Sequence, residues 1–301
     1  MVVFISSTRR KIMSFVPVTH IVYAPLNNAK LTPHILRDLA ASGMKNIVLS
    51  STVVSDCMKE PYLPECIRKW AEDAGLVFMD GHALFPDCVC PSYPVEEKRD
   101  LMINYIKMEL SIAHAFGVKT FTVHTGNNYD RTLSVEVYKE AMYRSMEKLL
   151  PEAEKNDVII ALENIWTSPN TPEVLLDVVE KFDSPYLGLC YDSGHANIMK
   201  YAKRENSPAK IWWNTPEEIP QDDRILEKML PYVVNCHLHD NCGERDDHFL
   251  PGKGNINWDH IMGLLKKAPR LKCIQNESGY NSDTLSTRDV VKLFEDLCEK
   301  G

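Results

Sequence analysis

The sequence predicts a closed (β/α)8 barrel, and three observations carry that prediction. Eight short, mostly apolar strand-like runs alternate with amphipathic helical stretches along the 301 residues, a pattern that argues for a buried parallel sheet. Eight such units in roughly 280 residues fit a closed barrel better than an open doubly wound sheet. No G-x-G-x-x-G follows the first strand, where an open dinucleotide-binding sheet would carry it. No low-complexity linker interrupts the pattern. Residues 1–301 therefore read as one barrel domain with an inserted loop at about 198–221.

The first strand is expected at 20–24, and its helix at 32–42 begins at Thr32-Pro33 with proline at the first helical position. The second strand is 46–50, and a helix at 62–74 stops at Gly75. The third strand is 76–80, followed by Gly81-His82, a proline-rich loop at 84–95 and a long helix at 96–116. The fourth strand, 120–124, leads to a helix at 134–155 with Val135, Val137, Ala141, Met142, Met146, Leu149 and Leu150 at helical spacing. The fifth strand is 158–163 and its helix 171–181; the sixth strand, 187–192, runs into Ser193-Gly194-His195. A polar stretch at 198–221 is too long for an ordinary connection. With Trp212-Trp213 and Pro216 it reads as a lid, a subunit contact in a homo-oligomer, or a plain exposed insertion. A helix at 222–230 and the seventh strand at 232–238 follow, then a helix at 257–266, the eighth strand at 272–277 and a last helix at 286–299.

An apolar content of 44% is enough for a large core, and no run approaches a membrane span. The N-terminal charges follow the apolar residues, the reverse of a signal peptide, so the expected location is cytoplasmic. Nine scattered cysteines, three of them (Cys190, Cys236, Cys273) inside apolar runs, fit a reducing compartment. Cys88 and Cys90 form a C-x-C without a second knuckle, which argues against a structural zinc ribbon. The net charge of −8 lowers the expectation of a nucleic-acid partner, because such affinity comes largely from neutralised phosphates.

The candidate chemistry lies at strand ends. His82 follows the third strand and His124 ends the fourth; Glu163 ends the fifth, with Asp192 and His195 at the sixth, His237 in the seventh and Glu277 ending the eighth. His237 and His239 share one face of their strand. A parallel barrel brings all these positions to one mouth. A single strand-end histidine is more often a hydrogen-bonded core residue. A convergent set of Asp, Glu and His alone implies a metal, since uncompensated carboxylates would repel and be costly to bury. Oxygen and imidazole donors without thiolate suit a divalent ion such as Mn, Zn, Co or Fe, with Mg a lesser match. Glu163, Asp192, His237 and Glu277 make a four-ligand set, with Asp246 and His248 as further donors at the rim.

Ala161-Leu162-Glu163-Asn164, Tyr191-Asp192-Ser193-Gly194-His195, His237-Leu238-His239-Asp240-Asn241, Asp246-x-His248, Gly252-Lys253-Gly254 with Trp258, and Glu277 together resemble the xylose isomerase-like TIM-barrel superfamily. That superfamily includes sugar isomerases and epimerases, inosose dehydratases and endonuclease IV. The resemblance implies that Glu163, Asp192, His237 and Glu277 bind a catalytic divalent metal, and that His195 contacts substrate or a second metal. It also implies that Glu163 and Glu277 act as acid and base on a sugar or sugar phosphate.

His82, His124, Asp246 and His248 also match the extra positions of the endonuclease IV three-zinc cluster, so a phosphodiesterase acting on abasic DNA is an alternative. A polyol dehydratase and a non-catalytic metal-binding barrel are others. Against the nuclease stand the acidic balance and a basic concentration limited to Lys200, Lys203, Arg204 and Lys210. Some epimerases carry an arginine six residues after the metal histidine; here that position is Gly243 and the nearest arginine is Arg245. Arg245, Lys253 and Trp166 are candidate substrate contacts, with surface exposure or rim packing as the plainer alternatives.

Overall fold

The structure is a computed structural model that describes residues 15–21, 30–85, 90–126, 132–213, 215–279 and 285–300. Its elements are β1 (Val18–His20), α1 (Pro33–Ala41), β2 (Asn46–Leu49), α2 (Ser51–Lys59), α3 (Leu63–Ala74), β3 (Val77–His82), α4 (Glu96–Ala115), β4 (Thr120–Val123), α5 (Val135–Asn156), β5 (Ile159–Glu163), α6 (Pro172–Phe182), β6 (Leu187–Asp192), α7 (Ser193–Lys200), α8 (Pro208–Trp212), α9 (Ile225–Met229), β7 (Val233–Leu238), α10 (Trp258–Leu265), β8 (Cys273–Asn276) and α11 (Thr287–Lys300). The eight strands follow one another in sequence order around a closed barrel. All neighbours are parallel, and β8 pairs with β1 to close the ring. The expected (β/α)8 barrel is the observed fold.

Local chemistry fixes most boundaries. The Thr32 hydroxyl accepts from the Ile35 amide at 3.3 Å and Pro33 opens α1, as the Thr-Pro pair predicted. Gly75 ends α3 at φ +74°, a left-handed cap that favours glycine. α5 and α6 end instead on Asp157 and Asp183, at φ +50° and +41°. Aspartate tolerates that region better than most side chains.

Three expectations are corrected. β1 starts two residues before the predicted 20, and positions 22–24 lie outside the described residues, as does Cys88. Three helices are additional, α2, α7 and the short α8 within the 198–221 stretch. α2 follows β2 directly and buries Val53, Val54 and Cys57. α7 starts at Ser193, with the Asp192 carboxylate capping the His195 amide at 2.6 Å.

The 198–221 stretch folds onto the barrel. α8 lies within it, Ala202, Ser207 and Ala209 are buried, and the Trp213 indole donates to the Glu217 carbonyl at 2.6 Å. No helix among the described residues is long and apolar enough to cross a membrane.

The core lies between barrel and helices, with Ile47, Leu49, Leu162, Leu189, Val233 and Ile274 wholly or nearly wholly buried. Inside the barrel the layer below the mouth is polar. Thr19, Asp80, Thr120, Thr122, Asn235 and Gln275 are all fully buried. Asn235 Nδ2 donates to Thr122 Oγ1 at 3.0 Å, and that hydroxyl lies 3.3 Å from His237 Nε2. The polar floor thus holds the strand-seven histidine from below. The described cysteines are all free.

Candidate metal centre

Glu163, at the end of β5, is 1% exposed and sits between four imidazoles. Its Oε2 lies 3.0 Å from His124 Nε2 and 3.4 Å from His82 Nε2. Its Oε1 lies 3.3 Å from His195 Nδ1 and 3.4 Å from His237 Nδ1. Glu277 reaches the same edge of His237, with Oε2 at 3.0 Å from Nδ1. Donor atoms of Glu163, Asp192, His237 and Glu277 all lie within 4.8 Å of one another. The barrel closure brings β5, β6, β7 and the end of β8 side by side, so this quartet follows from topology.

Asp192 leads to a second cluster. Its Oδ2 lies 3.1 Å from His239 Nε2. Asp246 faces His195 Nε2 at 3.5 Å, His248 Nε2 at 3.1 Å and His239 Nε2 at 3.8 Å. Donor atoms of Asp192, His195 and His239 converge within 4.8 Å, as do those of His239, Asp246 and His248. His239 is wholly buried, and its ring stacks on His248 at 3.9 Å with 10° between the planes. Gly194 makes room for it, since a Cβ there would lie 2.0 Å from His239 Cε1.

Electrostatics tie the clusters together. Burial alone would raise the Glu163 carboxyl, but His237 and His124 hold it well below the usual carboxylate range. Glu277 is likewise pushed up by burial yet held at about 2, chiefly by His237. Burial would lower His237, but Cys190, Glu277 and Glu163 raise it well above an ordinary histidine. His195 is raised well above its usual value by Asp192 and Asp246 against the effect of burial. His248, opposed by burial and favoured by Asp246 and Glu277, reaches about 9. His124 is lowered by burial.

Buried donor atoms without any hydrogen-bond partner include Nδ1 of His124, His237 and His239 and Asp246 Oδ1. Polar atoms left unpaired at nearly dry positions, beside carboxylates crowded as closely as Glu163 and Glu277 are at His237, are costly as they stand. They fit a divalent cation.

Of the candidates named from sequence, His82, His124, Glu163, Asp192, His195, His237, Asp246, His248 and Glu277 meet at the mouth. Trp166 stands edge-on to His195, with centroids 4.9 Å apart. Arg245 is 81% exposed and pairs with Asp247 at 3.3 Å, outside the clusters. Lys253 is exposed on its turn.

Two contributors were not named as site residues. His239 carried a signal, its shared strand face with His237. Phe85 carried none; its ring lies 5.2 Å from His82 and 5.0 Å from His124.

A parallel barrel whose strand ends gather carboxylates and imidazoles at one mouth is a barrel with the donors for a divalent ion. The chain belongs to the family described as xylose isomerase-like TIM barrel, which matches residues 37–274. An uncharacterized protein from Sinorhizobium fredii is 26% identical over 173 residues, covering 56% of this chain. The chain spans 50% of that relative's length. A probable endonuclease 4 from Mycoplasma mobile is 27% identical over 180 residues, covering 56% of this chain and 58% of the relative.

Among solved structures, a D-tagatose 3-epimerase-like protein superposes with a TM-score of 0.70 at 20% identity, over 94% of this chain and 99% of that one. The IOLI protein with a bound zinc atom gives 0.71 at 17%, over 94% and 98%. Both likenesses are of fold.

Proposed function

We propose that this protein is a metal-dependent sugar or sugar-phosphate isomerase or epimerase. Glu163, Asp192, His237 and Glu277 would hold the ion. The observation that carries the reading is the meeting of two buried carboxylates, from opposite ends of the β5–β8 arc, at one edge of His237: Glu163 Oε1 at 3.4 Å and Glu277 Oε2 at 3.0 Å. When bound, a divalent ion supplies Lewis-acid polarisation of a carbonyl oxygen.

The chain's own residues do the rest. Glu277 Oε2 takes the proton from the carbon alpha to the carbonyl, and Glu163 returns one from its own side. The imidazoles around them hold both groups ionised, which suits Glu277 as the base. The proton that Glu163 hands on comes to it from the protonated His195 imidazole, whose Nδ1 lies 3.3 Å from Glu163 Oε1. His195, with Trp166 edge-on to it, borders the space a sugar would occupy. The protein neighbours whose names record sugar epimerisation support the same chemistry by likeness of fold.

The test is solvent exchange in D2O over a panel of ketoses and ketose phosphates. Wild type is expected to wash deuterium into the alpha carbon of one of them, and Glu277→Gln to retain the fold but lose the exchange. Exchange retained in Glu277→Gln removes Glu277 from the acid–base role.

A second reading has an observation of its own. His82 and His124 crowd Glu163, and His195, Asp246 and His248 crowd together beside Asp192, more donors than one ion needs. That surplus favours a phosphodiesterase, as does the endonuclease relative. Opposing it, the nearby cations are partly spoken for. Lys203 pairs with Glu218 at 2.9 Å, and Arg204 packs on Tyr201 and reaches Glu244 at 3.5 Å. Cleavage of an abasic duplex, with binding that falls steeply with salt, would establish the second reading over the first.

A further inference from the structure

We propose that the interior of the barrel, in the polar layer below the mouth, binds an alkali cation, sodium or potassium, on oxygens of Asp80, Asn235, Gln275 and Thr19. Five polar atoms there are buried without a hydrogen-bond partner among the described residues: both carboxylate oxygens of Asp80, Oδ1 of Asn235, and Oε1 and Nε2 of Gln275. All three side chains are fully buried. Polar groups in such a position need a guest.

The strand register brings them together. Cys273 of β8 reaches Thr120 of β4 across the barrel, Sγ to Oγ1 at 3.8 Å, so both point inward. Asp80 of β3 is the register partner of Thr120, and Asn235 of β7 that of Cys273. Gln275 follows Cys273 by two residues on the same face and pairs with Thr19 of β1. The intervening residues Phe121, Cys236 and Ile274 turn outward into the apolar core. The Thr19 hydroxyl and the Cys273 thiol lie beside the Asp80 carboxylate.

The orientation of these groups leaves oxygen lone pairs for the guest. Asn235 Nδ2 is committed to Thr122 Oγ1 at 3.0 Å, so Oδ1 is the atom left over. The Thr19 hydroxyl gives its hydrogen to the Ile274 carbonyl at 3.5 Å and keeps its lone pairs. Water would serve the two amides, but it leaves the charge of Asp80 uncompensated in a dry interior. Hard cations take oxygen donors, and divalent ones draw on several carboxylates or on phosphates. A set with one carboxylate and neutral oxygens matches a single positive charge. Gln275 Nε2 then donates to a water that accompanies the ion. Through Asn235 and Thr122 the ion braces the floor under His237.

The experiment melts the full chain, with manganese chloride present throughout so that the mouth is occupied by a divalent ion. The supporting salt is sodium, potassium or tetramethylammonium chloride at equal ionic strength, which keeps screening constant. Tetramethylammonium is too large to be held by these side chains. Sodium or potassium should raise the melting temperature by about 2–4 °C over tetramethylammonium, in a manner that saturates with salt. Asp80→Asn should abolish that difference. Gln275→Met, similar in shape without the amide, should cut it by at least half.

Equal melts of wild type in the three salts overturn the proposal and leave water as the guest. That comparison needs no variant. A difference that persists unchanged in Asp80→Asn overturns it as well, since the ion would then act elsewhere on the molecule. So does a difference that grows with salt without saturating, which marks a general salt effect and not a bound ion.

Discussion

Asp240 is the residue whose removal should most disturb the loop that carries Asp246 and His248. It is wholly buried, and its carboxylate accepts four hydrogen bonds. Oδ1 takes the amides of Asn241 at 2.9 Å and Ile256 at 3.3 Å. Oδ2 takes the Gly252 amide at 2.8 Å and the Trp258 indole at 2.9 Å. Its backbone closes the loop through two further bonds with Phe249, at 2.7 and 2.8 Å.

Asp240→Ala leaves four donors without their acceptor. The Asn241 amide is buried and bears the full cost of a stranded donor, about 1–3 kcal/mol; the three half-buried donors regain water and lose about 1 kcal/mol each. The sum is about 4–6 kcal/mol, a large share of the roughly 5–15 kcal/mol by which native proteins are stable. Asp240→Asn keeps one acceptor oxygen and turns an NH2 toward two donors, so it should cost at least half as much. Urea denaturation of the three proteins, followed by tryptophan fluorescence, measures both values. An alanine variant within about 1 kcal/mol of wild type would refute the cage, as would an asparagine variant equal to wild type.

Other perturbations report on separate parts of the molecule. Burial pushes the Glu109 carboxyl from 4.5 up to about 8, so stability is fully present below the unfolded value and is lost as pH rises through 8. Glu109→Gln should therefore gain on wild type by about 1.4 kcal/mol per pH unit across that window, and parallel pH–stability curves would refute it. A Cβ at Gly188 in β6 would lie 2.5 Å from Val234 Cγ1 and 3.0 Å from the Tyr232 carbonyl. Gly188→Ala should destabilise by about 1–3 kcal/mol in denaturant titration, and a neutral result would show the barrel wall to be slack there. A divalent ion at about 100 times its Kd should stabilise by about 2.7 kcal/mol, on the order of 5 °C in a melt, reversed by EDTA. An unmoved melt would mean that the ion does not bind the native state.

The barrel and its mouth were legible because both follow from alternation. Strand six was readable to the residue at 187–192, since an apolar run ending in Asp-Ser-Gly has clear edges. α2 was not, because Ser51, Thr52, Val53 and Val54 have poor helix propensity and only their packing against the core makes the helix. β1 was displaced because His20 reads as a strand's beginning when it is the strand's last residue. The glycines around Lys253 lie in a turn. The reason for Gly254 lies elsewhere: a Cβ there would sit 2.2 Å from the Asn241 carbonyl and 2.3 Å from Asp240 Oδ1, a contact between segments that no local pattern records.

The division falls in the same place within the site. Which residues converge is a property of strand ends in a parallel barrel, and each sequence position carries it independently. Which atom of each residue faces the centre is a property of pairs. His195 and His248 present Nε2 because carbonyls from β5 and from the end of β8 occupy their Nδ1 atoms, whereas His237 presents Nδ1 because Thr122 of β4 lies against its Nε2. A histidine on a strand face states that an imidazole is available. Only the neighbouring strands decide which nitrogen it offers, and that decision separates a carboxylate-rich position beside Glu277 from an imidazole-rich one beside Asp246.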